Sequence, residues 1–265
     1  MDATRMIAAA ARVTAVVAAA AALSACDVVV NSLDTKGQAK DQWTKTYPIA
    51  ATGDVEIVNA VGRIDVTGVE GTQVEVVAER TAKAMTDEDA QKVLAQVEIV
   101  ETVAADSVRL ETKSPKGEGR RVEVTYHVKV PASVNVRLRN ANGAIELAAL
   151  KGTVRVEGDN GTIVGRQLIG AVEANTTNGS VRLAMDGVAA GGIRAETVNG
   201  LIELTLPASA NADVQATCLN GRVSVEGLKI DGPESTRRRI EGRLNGGGPK
   251  VVLETTNGRI QLIGK

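Results

Sequence analysis

The chain of 265 residues has no phenylalanine, one tryptophan (Trp43), two tyrosines (Tyr47 and Tyr126), one histidine (His127) and two cysteines (Cys26 and Cys218). Without aromatic bulk, the interior must be filled by valine, isoleucine, leucine and alanine, which suits thin, repeated layers of β-branched side chains. A lone histidine with no cysteine at ligand spacing gives no zinc pattern. Two cysteines give no disulfide framework. The formal net charge of −1 leaves no basic excess, so nothing calls for nucleic acid. What remains, 43% hydrophobic and 24% charged, fits a globular chain with a real core.

Residues 1–25 read as an export signal. Arg5 and Arg12 supply a basic start, and VTAVVAAAAAL (13–23) is an apolar core of 11 residues. That is short of the roughly 20 residues a bilayer span needs, but right for a cleaved signal. It ends in Leu23-Ser24-Ala25-Cys26, which resembles a bacterial lipobox, so Cys26 is the expected lipidation site. More than one acyl chain there, at about 0.8 kcal/mol per buried methylene, gives lasting membrane attachment. Cys218 is then the only free thiol. Residues 27–42 are polar and read as a tether, with the folded part starting near Trp43.

From Trp43 onward the dominant signal is self-similarity. Six Asn-Gly pairs recur: Asn142-Gly143, Asn160-Gly161, Asn178-Gly179, Asn199-Gly200, Asn220-Gly221 and Asn257-Gly258, at steps of 18, 18, 21, 21 and 37 residues. Six residues before each Asn stand Val136, Val154, Val172, Ile193, Val214 and Val251. Two after each Gly stand Ile145, Ile163, Val181, Ile202, Val223 and Ile260. Polar residues fall between them, so each unit is strand, corner, strand with one buried face. A seventh, degenerate copy runs through Val55, Ile57, Asn59, Gly62, Ile64 and Val66.

Asn-Gly between alternating strands is also a hairpin signal, which makes a meander the rival fold. The column two before each Asn (Asn59, Asn140, Gly158, Thr176, Thr197, Cys218, Thr255) is uniformly small, which favours coils that stack like on like. The expected fold is therefore all-β: a parallel β-helix-like solenoid, right-handed, of about seven Asn-Gly coils. An insertion at 86–130 interrupts it. TDEDAQKVLAQV (86–97) is a capped amphipathic helix, with Asp89 three residues after Thr86 and Ala90, Val93, Leu94 and Val97 on one face. Residues 107–130 alternate on either side of Pro-Lys-Gly-Glu-Gly and read as a β-hairpin. Because solenoid ends attract stray strands, the insertion is expected to shield an end or flank.

These features resemble the bacterial DUF4097 family. The residues that carry the resemblance are the export signal, WTKTYPI…GDVEIVNAVGRIDVTG, the acidic helix, VPASVNVRLRNANGAIEL and the closing LNGGGPKVVLETTNGRIQLIG. The resemblance implies a β-helix-like solenoid and an adhesin-like role, and it brings no catalytic residues with it. The segment 231–250, with Arg237-Arg238-Arg239, departs from it by lengthening the last repeat.

Chemistry is sparse. His127 in VEVTYHVKV is expected to face solvent or to be satisfied locally, and Cys218 to be a small core residue. Calcium loops of the EF-hand or GGxGxD kind are absent from the sequence. The outward column after the corner (Asp65, Glu146, Val164, Arg182, Glu203, Ser224, Gln261) is expected to hold no adjacent pair of carboxylates of the kind a glycosidase needs. Arg237, Arg238 and Arg239 form a candidate contact loop for an acidic polymer or head group. The expectation is a protein without catalytic residues, cofactor or metal. It would be exported and anchored to the cell membrane by lipid, acting as an adhesin-like binding or scaffold module for an unknown envelope polymer or protein. An envelope-stress regulator, which the resemblance also implies, and a degenerate carbohydrate-active β-helix are the alternatives.

Overall fold

The structure, a computed structural model, describes residues 37–115 and 121–265. In chain order its elements are β1 (Gly37–Pro48), β2 (Asp54–Val61), β3 (Ile64–Val69), β4 (Gln73–Ala84), α1 (Asp87–Leu94), β5 (Glu98–Val103), β6 (Ser107–Lys113), β7 (Arg121–Pro131), β8 (Asn135–Asn142) and β9 (Ile145–Ala148). They continue with β10 (Val154–Asn160), β11 (Ile163–Leu168), β12 (Val172–Asn178), β13 (Val181–Met185), β14 (Ile193–Leu206), β15 (Ala212–Glu226), β16 (Ile230–Ser235), β17 (Arg239–Leu244) and β18 (Lys250–Gly264). No described helix is long and apolar enough to cross a membrane.

A strand apolar on every second residue can bury that face only against copies of itself or another layer. Here the copies stack. The strands before each corner form a first parallel ladder in which Val55, Val136, Val154, Val172, Ile193, Val251 and Val214 lie in register. The strands after each corner form a second, through Ile64, Ile145, Ile163, Val181, Ile202, Ile260 and Val223. β14, β15 and β18 run through their corners unbroken. The core between the ladders is aliphatic, with Ile57, Leu138, Val156, Ala174, Ala195, Leu253 and Ala216 fully buried.

The rungs do not follow chain order. β14 and β15 are consecutive, yet β18 lies between them, parallel to both. The 37-residue step is thus an excursion: the chain leaves the stack after β15, forms β16 and β17, and returns one rung earlier.

Both ends change from parallel to antiparallel pairing. At one end β6 and β7 add a rung below β2 and β3, finished by β5 on β6, β4 on β7 and β1 on β4. Helix α1 covers Ala39, Ala82 and Ala84 with Ala90, Val93 and Leu94. Its N-cap is Thr86, whose Oγ1 accepts from Asp89 N at 3.1 Å, the cap expected from the sequence. At the other end β17 pairs antiparallel with the first half of β15, and β16 with β17. Pro233 in β16 has no N–H to offer a further strand.

Two expectations change. Residues 107–130 do not make a hairpin. β6 takes the open edge of β2 and β7 that of β3, because the end rung offers two parallel edges that a local hairpin would leave unpaired. The fold also starts before Trp43. β1 begins at Gly37 and pairs from Gly37↔Ala84 to Pro48↔Gln73, which places 37–42 of the expected tether in the sheet. Asp41 is held there by a bidentate bond from Arg80, Nε–Oδ1 2.8 Å and Nη2–Oδ2 2.5 Å, while Arg80 Nη1 donates to Val97 O at 2.8 Å. Residues 1–36, with Cys26 and the expected export signal, lie outside the described residues.

Candidate interaction face

The repeated Asn-Gly pairs hold the stack together. Five of the six Asn Nδ2 groups donate to the Oδ1 of a neighbour: Asn160 to Asn142 (3.1 Å), Asn178 to Asn160 (3.0 Å), Asn199 to Asn178 (2.8 Å), Asn257 to Asn199 (2.8 Å) and Asn220 to Asn257 (2.9 Å). The corners are not tight hairpin turns, since β14, β15 and β18 remain strand through them. Glycine is needed because the rungs touch here: a Cβ on Gly258 would overlap the carbonyl oxygen of Gly200 on the neighbouring rung.

The small column two before each Asn is explained by the same contact. Most of these side chains are buried, and several donate to a backbone carbonyl of the neighbouring rung. Asn140 Nδ2 bonds Gly62 O at 2.7 Å, Thr197 Oγ1 bonds Gly179 O at 3.0 Å, and Cys218 Sγ lies 3.5 Å from Gly258 O. Thr255 Oγ1, in the same column, is buried without a partner. Cys218 is a buried core thiol. The six Asn-Gly pairs thus lie along one side-chain hydrogen-bonded ladder.

The remaining sequence candidates fall elsewhere. His127 is exposed, its Nδ1 3.2 Å from Asp65 Oδ2. Asp65 is also a register neighbour of Glu146, so the outward column does hold adjacent carboxylates, against expectation. Arg63 joins the pair, 2.6 Å from Asp65 Oδ1 and 2.9 Å from Glu146 Oε1. Its bond to Asp65 raises the guanidinium pKa. Among the described residues no group of three or more His, Cys, Asp or Glu is placed to hold a metal ion. Arg237 and Arg238 are exposed at the β16–β17 turn, where their carbonyls accept from Val223 N and Cys218 N at 2.8 Å each. Arg239 opens β17 and bonds Glu241 at 2.8 Å. The backbone of the arginine run thus seals the outer edge of β15.

The outer face of the first ladder is hollowed in two places. A groove of about 770 Å³ crosses β2, β8, β10, β12, β14 and β18, lined by Asp54, Glu56, Arg137, Arg155, Glu173, Arg194 and Lys250. A second hollow of about 850 Å³ shares Arg194, Lys250 and Val252 with it and runs on to β15, β16 and β17. Charge pairing on this face is offset by one rung: Arg109 reaches Glu56 at 2.5 Å, Arg139 reaches Glu157 at 3.0 Å, and Arg155 Nε reaches Glu173 at 2.8 Å. Arg194 pairs along its own strand with Glu196.

That offset isolates Arg137. Its register neighbours are Glu56, already engaged by Arg109, and Arg155, a like charge. Arg137 is exposed and has no carboxylate partner among the described residues, and neither has Lys250 at the other end of the groove. Sequence reasoning missed both, because pairing depends on register and on the inserted rung.

Fold and face together define the class: a capped, two-ladder β-solenoid with a charged groove on its outer face. The family model described as Toastrack DUF4097 matches residues 19–262, and the chain belongs to that family. Among solved structures, an inferred cell-adhesion protein from Clostridium sporogenes is 15% identical, over 85% of this chain and 100% of its own, with a TM-score of 0.44. An inferred adhesin from Parabacteroides distasonis is 12% identical over 84% and 97% of the two chains, with a TM-score of 0.31. One from Bacteroides fragilis is 10% identical over 85% and 97%, also at 0.31. No curated protein matches the chain.

Proposed function

We propose that the protein is an adhesin-like, non-catalytic binding module of the cell envelope, held to the membrane by lipid on Cys26 and meeting its partner through the outer groove of the first ladder. The observation that carries this reading is Arg137. In a face whose other arginines are tied to carboxylates, it stands free in a groove long enough for an extended polymer. Exposed ion pairs contribute only about 0–1 kcal/mol each, so a ligand with its own anionic groups can also compete for Arg155 and Arg194. The partner expected is an anionic envelope polymer or an acidic protein surface. The anchor rests on Leu23-Ser24-Ala25-Cys26 at the end of the apolar run.

The test is to present the soluble 27–265 chain to envelope polymers and fractions. Retention that weakens as salt rises is expected; no retention on any fraction contradicts the reading. For the anchor, Cys26→Ser is expected to release the protein from membranes, and undiminished membrane association overturns it.

A further inference from the structure

We propose that the space between β14 and β15 is a strand-acceptor site, and that a second copy of this chain can supply the β18 that fills it. The slot is specific. One wall pairs from Ile193↔Val251 to Leu206↔Gly264, the other from Asp213↔Lys250 to Glu226↔Ile263. Inside it Val251, Leu253, Ile260 and Leu262 are fully buried, and Asn257 joins Asn199 to Asn220. This is strand addition with both edges occupied, in which backbone bonds give affinity and alternate side chains give specificity.

Filling the slot from within one chain demands an awkward crossing. β17 lies on the outer side of β15 and β18 on the inner side, so residues 245–249 must pass over the start of β15. Asn245, Gly246 and Gly247 all adopt positive φ, at 50°, 90° and 91°. Asn245 Nδ2 is tied to the carbonyls of Ala208 and Ala210 at 2.7 and 2.9 Å. A Cβ on Gly247 would lie 2.5 Å from Asp213 Oδ1, and one on Gly248 3.0 Å from Asn211 O. At 247 and 248 the crossing therefore suits glycine, at 247 for its positive φ and at 248 for the backbone 3.0 Å away.

Slot and strand are identical in every copy. Exchange between two molecules remakes every bond of the closed form and changes only the crossing, the condition for a strand-swapped dimer. The three glycines keep β18 at home, and bulk placed there shifts the balance towards a partner.

The experiment uses the lipid-free full chain (Cys26→Ser) with Cys218→Ser. One preparation carries Asn199→Cys and another Asn257→Cys, each with and without Gly247→Val and Gly248→Val. The two are refolded together, oxidised, and sized by light scattering. In the valine variants the expected result is a doubled mass and a disulfide between copies, since residues 199 and 257 are register neighbours within disulfide reach only when β18 of one copy lies on β14 of the other. A folded monomer, or a dimer without the disulfide, overturns the proposal. If the valine variants fail to fold, the same cysteine pair carrying Gly247→Ala and Gly248→Ala is refolded together instead: the disulfide between copies supports exchange, and a folded chain without it refutes the proposal.

Discussion

Asn257 donates its side-chain amide to Asn199, 58 residues earlier, at 2.8 Å, and accepts in turn from Asn220 at 2.9 Å. The last Asn-Gly in the sequence is therefore an interior rung of the ladder, and Asn220 is its end. Asn257→Ala removes two ladder bonds and Asn142→Ala one. With a net value of about 1 kcal/mol per bond, the first should cost about 2 kcal/mol and the second about 1 in urea unfolding. Equal costs would contradict the inserted rung.

The column of small residues gives a contrasting pair. Thr197→Val removes the bond from Thr197 Oγ1 to Gly179 O and should cost about 1 kcal/mol. Thr255 Oγ1 has no partner to lose, so Thr255→Val should be neutral or slightly stabilising. The same unfolding midpoints test both, and a costly Thr255→Val would refute the explanation offered for this column.

These columns, the corner positions and the Thr86 cap were legible in the sequence because each is a local period or a local pair. The rung order was not. Val251, Thr255 and Asn257 match the β14 rung as well as they match β15, and only the route of residues 245–249 selects the arrangement. β1 was hidden for another reason: its buried position near Gly37 is Ala39, flanked by Gln38 and Lys40, which gives almost no hydrophobic contrast. Arg137 could not be singled out without the register that gives Glu56 to Arg109.

The early start of the fold has a direct test. Asp41 and Arg80 are both largely shielded, with side-chain exposures of 13% and 19%. Asp41→Ala strands a charge and should cost about 3 kcal/mol. A Tm unchanged within error would return residues 37–42 to the tether.

High pH should weaken the capped end. Burial pushes the Tyr126 hydroxyl, 2.7 Å from Thr112 Oγ1, up from 10.0 to about 12. Tyr47, bonded to Glu101 at 2.7 Å, is raised by burial first and by Glu101 second. A raised tyrosine contributes stability in full below pH 10 and loses it as pH climbs through the folded value. For Tyr126 the loss between pH 10 and 12 is about 3 kcal/mol. Tyr126→Phe should reduce that slope without abolishing it, Tyr47 remaining. Urea unfolding from pH 8 to 11.5 reads it, and an unchanged slope would contradict the assignment.

The central claim is that the outer groove of the first ladder is the binding face, and charge reversal on each ladder tests it most directly. Arg182 is exposed on the outer face of the second ladder and, like Arg137, has no carboxylate partner among the described residues. Arg137→Glu and Arg182→Glu therefore change net charge equally and break no ion pair. Titrated against the envelope fraction that retains the 27–265 chain, Arg137→Glu should weaken binding at least tenfold while Arg182→Glu leaves it within twofold. Equal losses, or a loss confined to Arg182→Glu, would contradict the account.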